Sequence, residues 1–284
     1  MTTPCQRSMG ASPVISARRA RQRGAGPGAA AVTALLAGWV CWCASANVSV
    51  PLNCAARQVV APVTIDGKLD EWEEAQPVVL AGESHWRAAQ PGAEYGGSSD
   101  VAARFYAAWD RNRLYLAIEA YDDDLAPPGD AEDMLQGDCI IVAVDARNDA
   151  TQGYDEDDSE FGFAYTPAGP YSWRWFPLKR AGRPSPVKVA VVREVKPGAV
   201  KAGIPPIKLT YEIAIPWSEL HGASPGEGEA LGFDIVVNDV DGNRRHGWLE
   251  WTSGILGIKD PSRFGNIVLT VTAPPAPEQP APAP

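Results

Sequence analysis

The run Cys139–Val144 constrains this chain more than any other stretch, because it is apolar on both alternating faces. Ile140, Val142 and Val144 alternate with Cys139, Ile141 and Ala143, so a strand built from them must be covered from both sides and belongs inside a layered β structure. After Asp145 the chain turns polar. Asp155, Glu156, Asp157, Asp158 and Glu160 crowd together before Phe161, Phe163 and Tyr165 resume the alternation. Carboxylates that close repel one another unless solvent or a cation offsets their charge.

The same period of two recurs along the chain. Asp100–Ala120 reads as a hairpin, with Val101, Ala103, Phe105, Ala107 and Trp109 on one face, Leu114, Leu116 and Ile118 on the partner, and Asp110–Arg113 as the turn. Further runs fall at Val63–Ile65, Tyr171–Trp175, Val187–Val195, Ile207–Ile215, Leu231–Val240, Trp248–Trp251 and Ile267–Val271. Helical periodicity is nearly absent; Asp70 can cap one turn that carries Trp72 as a core plug, and Pro216–Leu220 reads as a short helix start. The fold class is all-β, an antiparallel β-sandwich, jelly-roll-like, of about ten strands with minimal helix.

The flanks differ from this core. Arg18, Arg19, Arg21 and Arg23 precede an apolar run from Ala29 to Cys43 that ends in Ala44-Ser45-Ala46, the order of a secretory signal peptide over residues 1–46. The rival reading is a membrane anchor, for which a run of about fifteen residues is shorter than the ~20 a span needs. Residues 47–61 read as a lead-in segment, 62–272 as the sandwich domain, and 273–284 as a Pro/Ala-rich tail that cannot bury a core. The expected location is secreted or periplasmic. Without the five arginines of the leader, 20 basic residues face 35 acidic ones, a net charge of −15, which disfavours nucleic acid as a partner. Cys54 and Cys139 remain outside the leader. An exported chain permits a disulfide between them, and the alternative is a small buried hydrophobe at Cys139 with a free or lipid-carrying Cys54.

Catalytic constellations are missing. There is no G-x-S-x-G or H-E-x-x-H, and His85, His221 and His246 lack the spacing of a zinc site. Paired carboxylates are too common in an acidic chain to indicate a glycosidase. Calcium takes six to eight oxygen ligands, so Asp155, Glu156, Asp157 and Asp158 are candidate ligands of a structural calcium ion, with a solvated acidic loop as the alternative. Sugar binding needs a flat aromatic face with polar neighbours. Trp86, Trp173, Trp175 and Tyr171 lie near loops or turns and are candidates for it, whereas Trp109, Trp217 and Trp251 fit a core.

IDGKLDEWEEA, AARFYAAWDRNRLYLAIEAYD, GDCIIVAVD, GYDEDDSEFGFAY, YEIAIPW, LGFDIVVND and EWTSGILGIKDPSRFGNIVL, in this order, resemble family 9 carbohydrate-binding modules of the DOMON-like sandwich superfamily. The resemblance covers residues 60–271. It implies an antiparallel sandwich with structural calcium, a module attached to xylanases or cellulases that grips sugar chain ends and is not itself an enzyme. It also implies that the two tryptophans sandwiching the sugar in such modules correspond to Leu135 and Ile258, and that a glutamate and an arginine holding hydroxyls correspond to Ile141 and Gly162. The expected function is an exported, non-catalytic carbohydrate-binding domain in polysaccharide recognition, with a site shifted toward Trp173 and Trp175. A protein-interaction module using an apolar groove at Leu135, Ile141 and Ile258 is the second reading. A haem-binding sandwich is the third, for which Met134 and the three histidines are the available ligands.

Overall fold

The structure, a computed structural model, describes residues 52–129, 133–150, 152–184, 186–196 and 205–271. The expected leader and tail lie outside these residues; among those described, no helix is long and apolar enough to cross a membrane. The described residues form thirteen strands: β1 (Asn53–Gln58), β2 (Val78–Leu80), β3 (Trp86–Ala88), β4 (Val101–Trp109), β5 (Arg113–Asp122), β6 (Cys139–Asp145), β7 (Asp158–Thr166), β8 (Gly169–Phe176), β9 (Lys188–Val195), β10 (Ile207–Pro216), β11 (Ala230–Asp241), β12 (Arg244–Glu250) and β13 (Gly265–Thr270). One hydrogen-bonded path, β8-β7-β6-β11-β13-β1-β4-β5-β10-β9, folds back on itself as a sandwich. In one layer β11 offers a whole edge to β6 and divides the other between β13 and β12; in the opposite layer β4 pairs with β5 and divides its second edge between β1 and β2.

Alternation explains the packing. Ile140, Val142 and Val144 of β6, Phe161 and Phe163 of β7, and Phe233, Ile235 and Val237 of β11 meet Phe105, Leu116, Ile118, Tyr211 and Ile213 from the other layer in the main core. Each such side chain contributes roughly 1.5–3 kcal/mol on burial. Every residue of β6 is buried, because Cys139, Ile141 and Ala143 on its opposite face enter a second cluster with Met134, Ala164, Val236, Ile255 and Phe264. Trp109, Trp217 and Trp251 are buried, as expected, and Trp217 starts the short turn read after Pro216.

A third cluster covers the outer face of β4, β5 and β10, where Val63 and Trp72 pack on Tyr106, Tyr115 and Ala214. Glu212 fixes this cover. Its carboxylate is fully buried and accepts hydrogen bonds from Trp72 Nε1 (2.9 Å) and from the backbone N–H groups of Asp66 (2.9 Å) and Gly67 (2.7 Å). Gly67 at φ 84° leaves no room for a Cβ against Val192.

Four expectations are corrected. Val63–Ile65 is not a strand but part of this cover. The strand count rises from about ten because β2 and β3 have three residues each, too short for a periodic signal, and because β1 lies in the segment read as a lead-in. β1 is integral to the sandwich, pairing in parallel with both β13 and β4. The fourth is the disulfide: Cys54 and Cys139 are both free and buried. Cys54 lies beside Ile267, which lies beside Leu231, whereas Cys139 lies beside Asn238 further along β11. At ~3.3 Å per residue that offset is about 23 Å, far beyond the ~7 Å a disulfide spans. Burial pushes the Cys54 thiol up to about 12 and raises that of Cys139 as well.

Glu212→Ala leaves two buried donors, Trp72 Nε1 and the Gly67 N–H, without an acceptor, while the Asp66 N–H keeps Thr64 O at 3.1 Å. The substitution is expected to lower the unfolding free energy by about 3 kcal/mol, measured by urea denaturation; an unchanged midpoint would show that the Asp66–Trp72 segment is held in some other way.

Candidate functional site

The outer face of β6, β7 and β8 carries an apolar groove of about 350 Å³ lined by Leu135, Ile141, Tyr154, Trp175, Phe176 and Leu256, with Glu160 and Lys259 at its side. Strand alternation puts the chemistry there. On β6 the inward Ile140 and Val142 leave Ile141 facing out, on β7 Glu160, Gly162 and Ala164 face out, and on β8 Trp173 and Trp175 do. Gly162 stands opposite both Ile141 and Trp173. A Cβ added to Gly162 would lie closer than 3.0 Å to the Trp175 ring and the Met134 sulfur. The glycine thus lets the Trp175 indole lie across the sheet.

The groove is short of polar groups. Lys259 Nζ donates to Glu160 Oε1 at 2.6 Å, so the two charges largely answer each other. Lys259 also lies 5.6 Å from the centre of the Tyr154 ring, and Tyr154 packs edge-on against Phe176. Burial, with the Glu160 carboxylate nearby, holds the Tyr154 phenol well above its ordinary range, so it stays a neutral donor. This arrangement suits stacking and apolar contact, with few directional hydrogen bonds.

Of the residues expected to bind ligand, the structure brings Leu135, Ile141 and Trp175 together in the groove wall. Trp173 and Tyr171 are half-buried against the same outer cluster, and the Arg183 guanidinium lies 5.2 Å from the Tyr171 ring. Ile258 is 48 % exposed on the loop between the groove residues Leu256 and Lys259. Trp86 is corrected: it is buried in the main core against Tyr95 and His246, because β3 pairs with β12 and Gly247 makes room for its ring. Tyr154, Phe176, Leu256 and the Glu160–Lys259 pair were not read from the sequence. Their separation along the chain gives no local pattern, although the alternation through Glu160 and Gly162 marks the face.

The acidic loop joins β6 to β7 and is largely answered from within. Asp145 accepts the N–H groups of Asn148 (2.7 Å) and Ala150 (3.1 Å), both residues in the left-handed region. Asp157 accepts the Arg147 N–H at 3.0 Å and its guanidinium at 3.2 Å; Glu156 is exposed, with the same guanidinium at 3.5 Å. Asp155 accepts the Asp157 N–H at 3.2 Å, and Asp158 accepts the Asp155 N–H at 2.6 Å. The carboxylates that converge are Asp145, Asp149 and Asp157, with oxygens within 4.8 Å of one another, rather than the four consecutive acids. Of those four, only Asp158 keeps a buried oxygen without a hydrogen bond, and burial raises its carboxyl to about 7. Arg147 and backbone N–H groups thus answer much of the loop's charge, while Asp145, Asp149 and Asp157 stay close enough to offer ligand oxygens to one ion.

A second group of acids gathers at the opposite end of β6. Asp100, Asp239, Asp241 and His246 offer ligand atoms within 4.8 Å of one another, as do Asp122, Asp138 and Asp239, and Asp122, Asp123 and Asp241. Burial, followed by the charge of Asp122, pushes Asp239 up to about 8; burial likewise raises Asp122 and Asp138.

Comparison with known proteins gives the groove its context. The family described as carbohydrate family 9 binding domain-like matches residues 65–272. The chain belongs to this family. It is 26% identical over 221 residues to endo-1,4-beta-xylanase A of Thermoanaerobacterium saccharolyticum, covering 76% of this chain and 16% of the relative. It is also 26% identical over 210 residues to endo-1,4-beta-xylanase A of Thermotoga maritima, covering 72% and 17%. The chain thus spans about a sixth of the length of these xylanases. Among solved structures, a family 9 carbohydrate-binding module from Caldicellulosiruptor kristjanssonii in complex with cellotriose superimposes with a TM-score of 0.55 at 21% identity, over 82% of this chain and all of that one. That likeness establishes the shared sandwich.

Placing an arginine on this face, Gly162→Arg, is expected to cost about 1–3 kcal/mol through overpacking against Trp175. Gly162→Arg combined with Trp175→Ala should recover most of that loss in thermal melts. Equal losses in both would show that Trp175 does not fill the glycine's space.

Proposed function

We propose that this family 9 domain is a non-catalytic carbohydrate-binding module that holds a saccharide in the groove between Leu135, Ile141, Trp175 and the Leu256–Lys259 loop. The observation that carries the reading is the location of the groove. Leu135 and Ile141, two of the four positions that the family resemblance assigns to sugar contact, line it; Gly162 opens it to Trp175, and Ile258 sits on its bordering loop. The aromatic faces of Trp175 and Phe176 can stack on the C–H surface of a pyranose ring, and Tyr154, Glu160 and Lys259 supply the nearby polar atoms. With so few polar groups the module discriminates weakly among hydroxyl patterns, which suits β-1,4-linked chains that present flat apolar faces. The xylanase relatives support polysaccharide recognition outside the cell, reached through the leader at residues 1–46, with this domain as the binding part of a degradative system.

Affinity measurements against cellulose, xylan and their soluble oligosaccharides test the reading. Binding is expected for at least one of them, with Trp175→Ala weakening it about tenfold or more. No binding to any saccharide would overturn it.

The apolar lining and the exposed Ile258 favour a second reading, a protein partner packed in the same groove. Under it, light scattering would show mass rising with concentration, and Ile258→Asp would hold the chain monomeric. A strict monomer at all concentrations would argue against self-association through this face.

A further inference from the structure

We propose, resting on the saccharide reading of the groove, that the bound chain continues along β8 to a cationic cleft at Arg183 and Lys188, which reads the carboxylate of a uronic acid substituent on a polysaccharide backbone. Tyr171, Trp173 and Trp175 occupy alternate positions of β8, and all three are half-buried in the outer cluster. Trp173 stands opposite Gly162 and Tyr171 opposite Ala164, so no bulky neighbour on β7 interrupts the strip of rings. At ~3.3 Å per residue the strip runs about 13 Å from the groove wall at Trp175 to Tyr171.

The far end of the strip carries the charge. The segment after β8 returns along its free edge, where Arg174 and Gly182 exchange two backbone hydrogen bonds (2.8 and 3.0 Å). That bridge fixes Arg183 beside Tyr171, its guanidinium 5.2 Å from the ring centre. Arg183 and Lys188 also line a cleft of about 660 Å³ with Ile65, Ser172, Val187 and Val189, a size suited to a sugar ring and its substituent. No carboxylate among the described residues lines this cleft. The chain has 35 acidic and 25 basic residues, and the arginines just before Arg183 are committed: Arg174 and Arg180 both pair with Glu219. Arg183 and Lys188, by contrast, form no ion pair with a described residue, although they share one cleft. Two such cations attract an anion, and a guanidinium stacked on a ring keeps its edge N–H groups free to fork onto a planar carboxylate. A neutral backbone lying on the strip with its carboxylate in the cleft uses both features at once.

The test is a calorimetric titration of the full-length protein with three xylo-oligosaccharides of equal backbone length: one unsubstituted, one carrying glucuronic acid, and one carrying the methyl ester of that acid. The acid is expected to bind about fivefold or more tighter than either neutral form. Arg183→Gln should bring all three to within about twofold of one another, and Lys188→Gln should reduce the preference in the same direction. Both side chains are exposed, so neither change disturbs the core. Equal binding of the acid and its ester would overturn the proposal and leave the groove reading standing. A preference for the acid that survives both substitutions would overturn it in the same way. No binding of any of the three would overturn it as well, and the groove reading would then rest on the cellulose measurements alone.

Discussion

The burial of β6 on both faces is the constraint on which the rest of the molecule depends. A strand with Ile140, Val142 and Val144 on one side and Cys139, Ile141 and Ala143 on the other cannot sit at the surface of a two-layer sandwich unless something covers its outer face. Met134, Trp173, Trp175, Trp248, Ile255 and Phe264 provide that cover. The cover is incomplete between Leu135, Trp175 and Leu256, and the groove is the gap that remains. The candidate binding surface is thus a by-product of how the core is closed, which is why its lining is apolar.

Charge is arranged at the two ends of the same strand. Asp145 opens the loop whose carboxylates are answered by Arg147 and by backbone N–H groups, and Asp138 adjoins the cluster whose Asp239 is not answered. The loop is dense in sequence and nearly satisfied in space; the other cluster is dispersed in sequence and dense in space. Local density of acids in sequence is therefore a poor guide to unanswered charge in space, because consecutive residues in a turn can satisfy one another through the backbone.

Most of the sandwich was legible from alternation. Hairpin β4–β5, the two-faced β6, and strands β7, β8 and β11 follow directly from period-two runs, and the motif containing Trp72 plugs an apolar face as expected. What the sequence hid was non-local. β1 carries only Cys54 and Ala56 as buried apolar residues and finds its partners about fifty and about two hundred positions away. Trp86 looks exposed beside a glycine-rich loop until β3 pairs with β12 and folds it inward. The groove's Leu135 and Ile141 were legible through family resemblance, but Tyr154, Phe176 and Lys259 meet only in three dimensions.

The parallel pairing of β1 with β13 has a mechanical side. The chain enters the sandwich near Asn53 and leaves near Thr270, and the register from Asn53 beside Asn266 to Arg57 beside Thr270 places entry and exit at opposite ends of the pair. Tension applied through those two points slides the strands along each other and strains every hydrogen bond of the pair at once, whereas an antiparallel arrangement would peel them apart one by one. A domain tethered on both sides while gripping an insoluble chain would carry load in shear.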